Sequence, residues 1–255
     1  MRVEACYITN VGKIRKNNED SLLLNNIVVS ETNQERVTCV ASFEQTQIYA
    51  VADGMGGHQR GEVASRTVLE MLKDKYVAVE DTEDLIDIMK SAKSALNWLV
   101  EKDRDSYGLG TTVTGLFVGA GRCFLFHCGD SRLYRWNGDV LERLAKDHSL
   151  VQRLLEEGVI TEEEMRTHPQ KNILTSALIG DLQGASPAVD VREVNLSGHE
   201  TFLICSDGLW ESVGRPDMED CFLPLHGEAE CLFDKAMASG ARDNISMIVV
   251  KISDG

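Results

Sequence analysis

No apolar run in the chain approaches the roughly 20 residues that a membrane-spanning helix needs, so no insertion into a membrane is expected. Basic residues are scarce: 26 Lys and Arg stand against 41 Asp and Glu, a net charge of −15. That balance argues against nonspecific nucleic-acid binding and against adsorption to an anionic membrane, because both reward basic patches. The sequence holds no C-x-x-C pair and no His-plus-Cys spacing of the kind zinc favours, and it has no EF-hand loop. Residues 1–5, M-R-V-E-A, lack the apolar core of a signal peptide. No internal repeat, low-complexity tract or linker interrupts the chain. The seven cysteines (6, 39, 123, 128, 205, 221 and 231) are odd in number and lie mostly in apolar stretches. They read as buried free thiols of a reducing cytosol, which makes a cytoplasmic protein the expectation.

What is present is an ordinary globular composition, 43% hydrophobic and 26% charged over 255 residues, enough for a real core. Short apolar runs bounded by turn residues predict strands near 6–12, 21–29, 37–40 and 48–52, with loop at 30–36 and 42–47. Helical spacing of Ala64, Val68, Met71, Leu72 and Tyr76 predicts a helix over 61–76. Leu85, Ile88, Met89, Ala92, Leu96 and Leu99 mark a second over 82–102, with Thr82 as N-cap. From Gly110 the texture turns to strands at 111–118, 122–128 and 132–136, and Asn137-Gly138 signals a hairpin to a strand at 140–144. A helical excursion at about 147–175 follows, then strands at 189–194, 201–205 and 245–252 and a helix over 227–240. Helices followed by consecutive hairpins imply a layered α+β domain with antiparallel sheet, one domain over 1–255 carrying an inserted flap.

The chemistry concentrates where apolar runs stop. Asp53, Asp130 and Asp207 each end such a run and border a glycine; Asp20, with Glu19 beside it, and Asp243 each precede one. Carboxylates at strand ends can converge on one sheet edge, where they raise each other's pKa unless a cation neutralises them. Mg²⁺ or Mn²⁺ suits an all-oxygen set. The same Asp-Gly dipeptides would also serve as plain turns. Arg15 offers a guanidinium for a phosphate, or a solvated charge beside Lys13 and Lys16. His58 can protonate a leaving alkoxide or simply occupy its glycine-rich turn. His127 lies opposite the Phe124 and Phe126 face of its strand and reads as structural.

Taken as a set, the motifs resemble bacterial PP2C-type (PPM family) protein serine/threonine phosphatases. They are G-x-x-R-x-x-N-E-D at 12–20, D-G-M-G-G-H-x-x-G-E-x-A-S at 53–65, G-T-T at 110–112, G-D-S-R at 129–132, D-H-S at 147–149, S-D-G-L at 206–209 and D-N at 243–244, all in the family's order. The resemblance implies a four-layer α-β-β-α sandwich of two antiparallel sheets with a binuclear Mn²⁺ or Mg²⁺ centre at one end. Asp53 resembles the carboxylate bridging the two metals and Gly54 the residue whose carbonyl binds one of them. Asp207 and Asp243 resemble ligands of the other, Glu19 and Asp20 hold metal-bound waters, and Asp130 with Asp207 resembles a third metal site. Arg15 resembles the phosphate-binding arginine and His58 the general acid.

The implied reaction is hydrolysis of phosphoserine and phosphothreonine by a water shared between two metals about 4 Å apart, with no phosphoenzyme. The implied partners are phosphorylated proteins, a cognate Ser/Thr kinase among them, and the protein acts as a monomer. The 147–175 excursion resembles the flap that tunes substrate choice. Ser176 and Ser246 stand where relatives often carry Arg and Thr, and the 30–47 segment is longer than in compact relatives. Two rivals remain: a scaffold that has lost catalysis, which the intact carboxylates oppose, and a phosphatase dedicated to one partner, such as an antagonist of an anti-sigma factor.

Overall fold

The computed structural model describes residues 1–56, 60–182, 186–223 and 227–253. β1 (Arg2–Asn10) opens the chain, and β2 (Asp20–Leu24) and β3 (Ile27–Ser30) follow as a hairpin. β4 (Thr38–Ser42) and β5 (Thr46–Met55) precede two helices, α1 (Gly61–Lys75) and α2 (Thr82–Lys102). Then come β6 (Gly110–Thr111), β7 (Val113–Gly119), β8 (Arg122–Cys128), β9 (Arg132–Trp136) and β10 (Leu141–Arg143). The excursion carries α3 (Leu150–Glu156) and α4 (Glu162–Thr167), and the chain continues through β11 (Leu178–Ile179), β12 (Asp190–Glu193) and β13 (His199–Cys205). Three helices, α5 (Asp207–Trp210), α6 (Arg215–Asp220) and α7 (Glu228–Ala238), lead to β14 (Ile245–Ser253).

All pairings are antiparallel. One sheet has the order β10-β9-β13-β14-β1-β4; the other runs β3-β2-β5-β7-β8-β12, with β6 and β11 added at the end of β5. The two-residue period of a strand sends alternate side chains to opposite faces, and this builds the layers. On β14, Ile248, Val250 and Ile252 face the other sheet, where they meet Leu22, Val51, Leu116 and Leu125. Met247 and Val249 face the opposite way, onto Leu232, Phe233 and Ala236 of α7. Leu23, Ala50, Phe117 and Phe124 turn outward from the second sheet onto Val68 and Leu72 of α1 and Leu96 of α2. The expected α-β-β-α sandwich is present.

Four expectations need correcting. The 21–29 run is a hairpin, not one strand: Asn25 has φ 55°, in the left-handed region that Asn tolerates, and Leu24 pairs with Ile27 across the turn. The cap of α2 is Asp81, not Thr82; the Asp81 carboxylate accepts from the N–H groups of Glu83 and Asp84, and Asp84 reaches back to complete a capping box. The strand at 48–52 extends to Thr46 and through Met55, so Asp53 lies inside it. The cysteines are not all free: Cys6 is bonded to Cys39 and Cys221 to Cys231, leaving Cys123, Cys128 and Cys205 as buried thiols. Cys6 and Cys39 face each other in the register of β1 and β4, a proximity that 33 residues of separation conceal. These bonds remove the thiol argument for a reducing compartment. Among the described residues no helix is long and apolar enough to cross a membrane.

His127 is structural, as its strand position suggests. It is fully buried, its Nδ1 lies 2.7 Å from the Thr114 hydroxyl, and its ring packs 4.8 Å from that of His148. Burial, then the neighbouring His148, pushes the imidazole from its ordinary 6.5 down to about 4, against the opposite pull of Asp147 and Asp190. A histidine kept neutral by folding contributes stability that is whole above the unfolded value. It is lost as pH falls from 6.5 toward 4, because only the unfolded chain takes up the proton. The loss is about 3 kcal/mol. Urea unfolding across that window should show an acid loss shallower by about this amount in His127→Gln; parallel losses in variant and wild type would refute the assignment.

Candidate active site

The two sheets bring five of the predicted carboxylates to one edge. Asp20 opens β2 and lies directly opposite Asp53 of β5 in the ladder, so two acids become neighbours by register alone. The Ser206 hydroxyl donates to Asp20 at 2.8 Å. Asp207 is the first residue of α5, where β13 ends, and Asp243 stands in the turn before β14. Asp130 follows β8, and its carbonyl accepts from the Trp210 indole at 3.1 Å.

The electrostatics are those of a crowded acidic cluster. Burial, then the charges of Asp20, Asp207, Asp130 and Asp243, holds Asp53 well above the usual carboxylate range. Asp207 is raised by burial and then by Asp130, Asp243 and Glu211. Burial and Asp147 push Asp130 up to about 7. Burial pushes Asp20 up to about 6 against the lowering effect of hydrogen bonds from Ser246 and Ser206. Glu19 is raised by burial and then by Glu62, and one buried oxygen of Glu62 has no hydrogen-bond partner. An orphaned carboxylate oxygen beside acids held above their ordinary range is the signature of a place that accepts a cation.

Arg15 supplies a cation of its own. Its Nη2 donates to Asp243 Oδ2 at 2.6 Å, and that bond is the main reason its pKa is raised. Among the described residues, no three His, Cys, Asp or Glu side chains are arranged to hold a metal ion on their own. The donor set nonetheless fits Mn²⁺ or Mg²⁺, hard ions that prefer oxygen and retain several waters. His58 lies outside the described residues.

Glycines make the close packing feasible. A Cβ on Gly54 would sit 2.2 Å from the Gly61 carbonyl oxygen and 2.5 Å from that of Glu19. Gly12 has φ +75° and presses against the Asp243 carbonyl, where a Cβ would come within 2.3 Å.

Several positioning residues carry no assigned role in the sequence reading. The Asp53 carbonyl accepts from the Thr111 hydroxyl at 2.8 Å and the Thr112 N–H at 2.9 Å, which gives the G-T-T motif its purpose. Asn244 accepts from the Glu19 N–H at 2.9 Å and donates to the carbonyls of Val11 and Asn17, tying the 11–19 loop to β14. Arg132 grips Asp147 with two nitrogens and stacks 3.5 Å from the Trp210 ring centroid, joining the G-D-S-R and D-H-S motifs. Each of these residues lies within or beside a motif, but its partner is distant in sequence, so the pairing could not be read there.

Beyond Asp130, a cavity of about 320 Å³ opens between α3 and α4 on one side and α5 and α6 on the other. Leu155, Met165 and Met218 give it apolar walls, and Arg143, Arg166 and Lys171 line it with charge. Ser176 is not in this cavity; its hydroxyl donates to the Ala188 carbonyl at 3.0 Å.

A six-strand sheet on a second antiparallel sheet, helices outside both, and a carboxylate edge define the phosphatase class. The chain belongs to the protein phosphatase 2C family, whose model matches residues 25–230. It is 32% identical over 259 residues to the serine/threonine phosphatase stp of Listeria monocytogenes, covering 98% of this chain and 96% of that one. It is 32% identical to the serine/threonine protein phosphatase PstP of Mycobacterium tuberculosis, of which it spans only 44%. The crystal structure of that mycobacterial phosphatase superposes with a TM-score of 0.81 at 30% identity, covering the whole of both chains. A second structure, the PstP catalytic domain with two manganese ions, gives 0.78 at 30% identity over the whole of both chains.

Proposed function

We propose that this protein is a metal-dependent protein serine/threonine phosphatase that reverses the action of Ser/Thr kinases. The observation carrying the reading is the crowded acidic edge of Asp20, Asp53, Asp130 and Asp207, whose carboxyls are held above their ordinary range. Maintaining such a cluster costs stability, which makes sense only where a ligand offsets it. The two-manganese relative supports the choice of ion.

In this reading Asp53, Asp207 and Asp243 hold two Mn²⁺ or Mg²⁺ ions with the Gly54 carbonyl, and Glu19 and Asp20 orient the waters around them. Asp130 with Asp207 offers a third position. The bound ions supply Lewis-acid charge to the phosphoryl oxygens and lower the pKa of water. Arg15 releases Asp243 and clamps the phosphate, a geometry for which a guanidinium is suited. His58 gives its proton to the departing serine or threonine oxygen. Thr111, Thr112 and Asn244 keep Asp53 and the Glu19 loop in place, which is orientation without contact to substrate. The protein is one domain acting as a monomer, its substrates are phosphorylated proteins including a cognate kinase, and the cavity under the 147–175 flap receives sequence beside the phosphoresidue.

Two measurements test this. With Mn²⁺, the purified protein should release phosphate from a phosphothreonine peptide; absence of release would sink the reading. His58→Ala should slow that peptide by about 10² or more, yet barely affect p-nitrophenyl phosphate, whose leaving group needs little protonation. Equal losses on both would remove His58 from the acid role.

A further inference from the structure

The segment joining β3 to β4 is exposed over most of its length, yet it is bonded inward to the site at several points. Gln34 makes the densest contacts. Its N–H donates to the Thr9 carbonyl at 2.9 Å, its Oε1 accepts from the Thr9 N–H at 3.0 Å, and its carbonyl accepts from Asn10 Nδ2 at 2.7 Å. Asn33 Oδ1 accepts from the Val11 N–H at 3.0 Å, and the Thr32 carbonyl accepts from Asn18 Nδ2 at 2.8 Å. Glu31 pairs with Arg66 of α1, anchoring the start of the segment.

These bonds continue into the buried edge as an unbroken polar chain. Asn18 Nδ2 donates to Thr9 Oγ1 at 2.7 Å, and Asn18 Oδ1 accepts from the Asp20 N–H at 3.2 Å. Thr9 Oγ1 lies 2.7 Å from Ser246 Oγ, the Ser246 N–H donates to Ser206 Oγ at 3.1 Å, and Ser206 Oγ donates to Asp20 Oδ2 at 2.8 Å. Asn18, Thr9, Ser246, Ser206 and Asp20 are all buried. In such a network of backbone and side-chain bonds each member holds its neighbour in place, because an unmade bond is expensive away from water.

We propose that residues 32–34 form a positioning clasp for Asp20 and for the 11–19 loop that carries Arg15 and Glu19, with Gln34 its principal side chain. The inference rests on the metal-dependent reading above. It assigns work to this segment and to Ser246, whose hydroxyl meets Thr9 and whose backbone N–H meets Ser206. Gln34 contacts neither substrate nor metal; it acts through Thr9 and Asn18.

The test is Mn²⁺ affinity of the full chain, read by calorimetry and by the paramagnetic resonance of free Mn²⁺, together with kcat, KM and Tm. Gln34→Ala should weaken Mn²⁺ binding by about tenfold, the lower end of what loss of an outer hydrogen-bonding partner costs. KM for p-nitrophenyl phosphate should rise more than kcat falls, because Arg15 is displaced. Gln34→Glu keeps the acceptor for the Thr9 N–H and should restore most of the affinity. Should Gln34→Ala not fold, Asn33→Ala loses a single acceptor and carries the same expectation. A lowered Tm with unchanged Mn²⁺ affinity and unchanged KM would overturn the clasp and leave a stabilising loop. Failure of the wild type to bind Mn²⁺ or to hydrolyse phosphothreonine would instead overturn the functional reading.

Discussion

Asp53→Asn should lower phosphopeptide turnover by on the order of 10² to 10³ while raising the melting temperature of the metal-free protein. The two effects have one cause. Asp53 is half-buried, and its carboxyl is pushed upward by desolvation and by four neighbouring aspartates. An amide of the same shape removes that repulsion, so the metal-free fold is relieved. It also removes a carboxylate that the proposed function assigns to the metal site, so turnover would fall with it. The backbone bonds from Thr111 and Thr112 reach the Asp53 carbonyl, not its side chain, and survive the change. Turnover assays beside thermal melts in chelator read both signs. Near-wild-type turnover, or a variant less stable than wild type without metal, would show that Asp53 is an ordinary buried acid.

Chelation is the second large effect. EDTA should abolish phosphothreonine hydrolysis, and added Mn²⁺ should restore it and raise Tm. At a free ion concentration of a hundred times Kd, one site adds about 2.7 kcal/mol, and two independent sites about twice that. Turnover that persists in EDTA would rule out metal-assisted hydrolysis, and a Tm indifferent to Mn²⁺ would say that the carboxylates bind no ion. A site built for larger cations would instead respond more to Ca²⁺ than to Mn²⁺.

The layered architecture was legible because it depends on local periodicity. Leu22, Leu23 and Leu24 alternate between two cores, and the α2 stripe from Leu85 to Leu96 faces one of them. The candidate carboxylates were legible because Asp53, Asp130 and Asp207 end apolar runs beside a glycine and Asp20 and Asp243 precede such runs. What stayed hidden were relations between distant segments. Nothing local tells that Asp20 will face Asp53, that Asn244 will hold Glu19, or that Cys6 will meet Cys39. The hairpin at Asn25 was hidden for a different reason: its left-handed turn residue sits inside an apolar run that reads as one strand. Glu62 lay within a quoted motif, but its orphaned oxygen emerges only once α1 is laid beside the Glu19 loop.

Arg15 has one guanidinium and two prospective clients. It is bonded to Asp243, with more than half of its side chain open to solvent. An ion pair so exposed holds weakly, so it is a latch and not a lock. In the proposed function, a cation that took Asp243 would turn the arginine loose, and a phosphate could then engage it. The two ligands are thereby linked through a single side chain: each should bind more tightly once the other is present, by the same factor in both directions. Phosphate would thus report on metal loading even where no bond is cleaved.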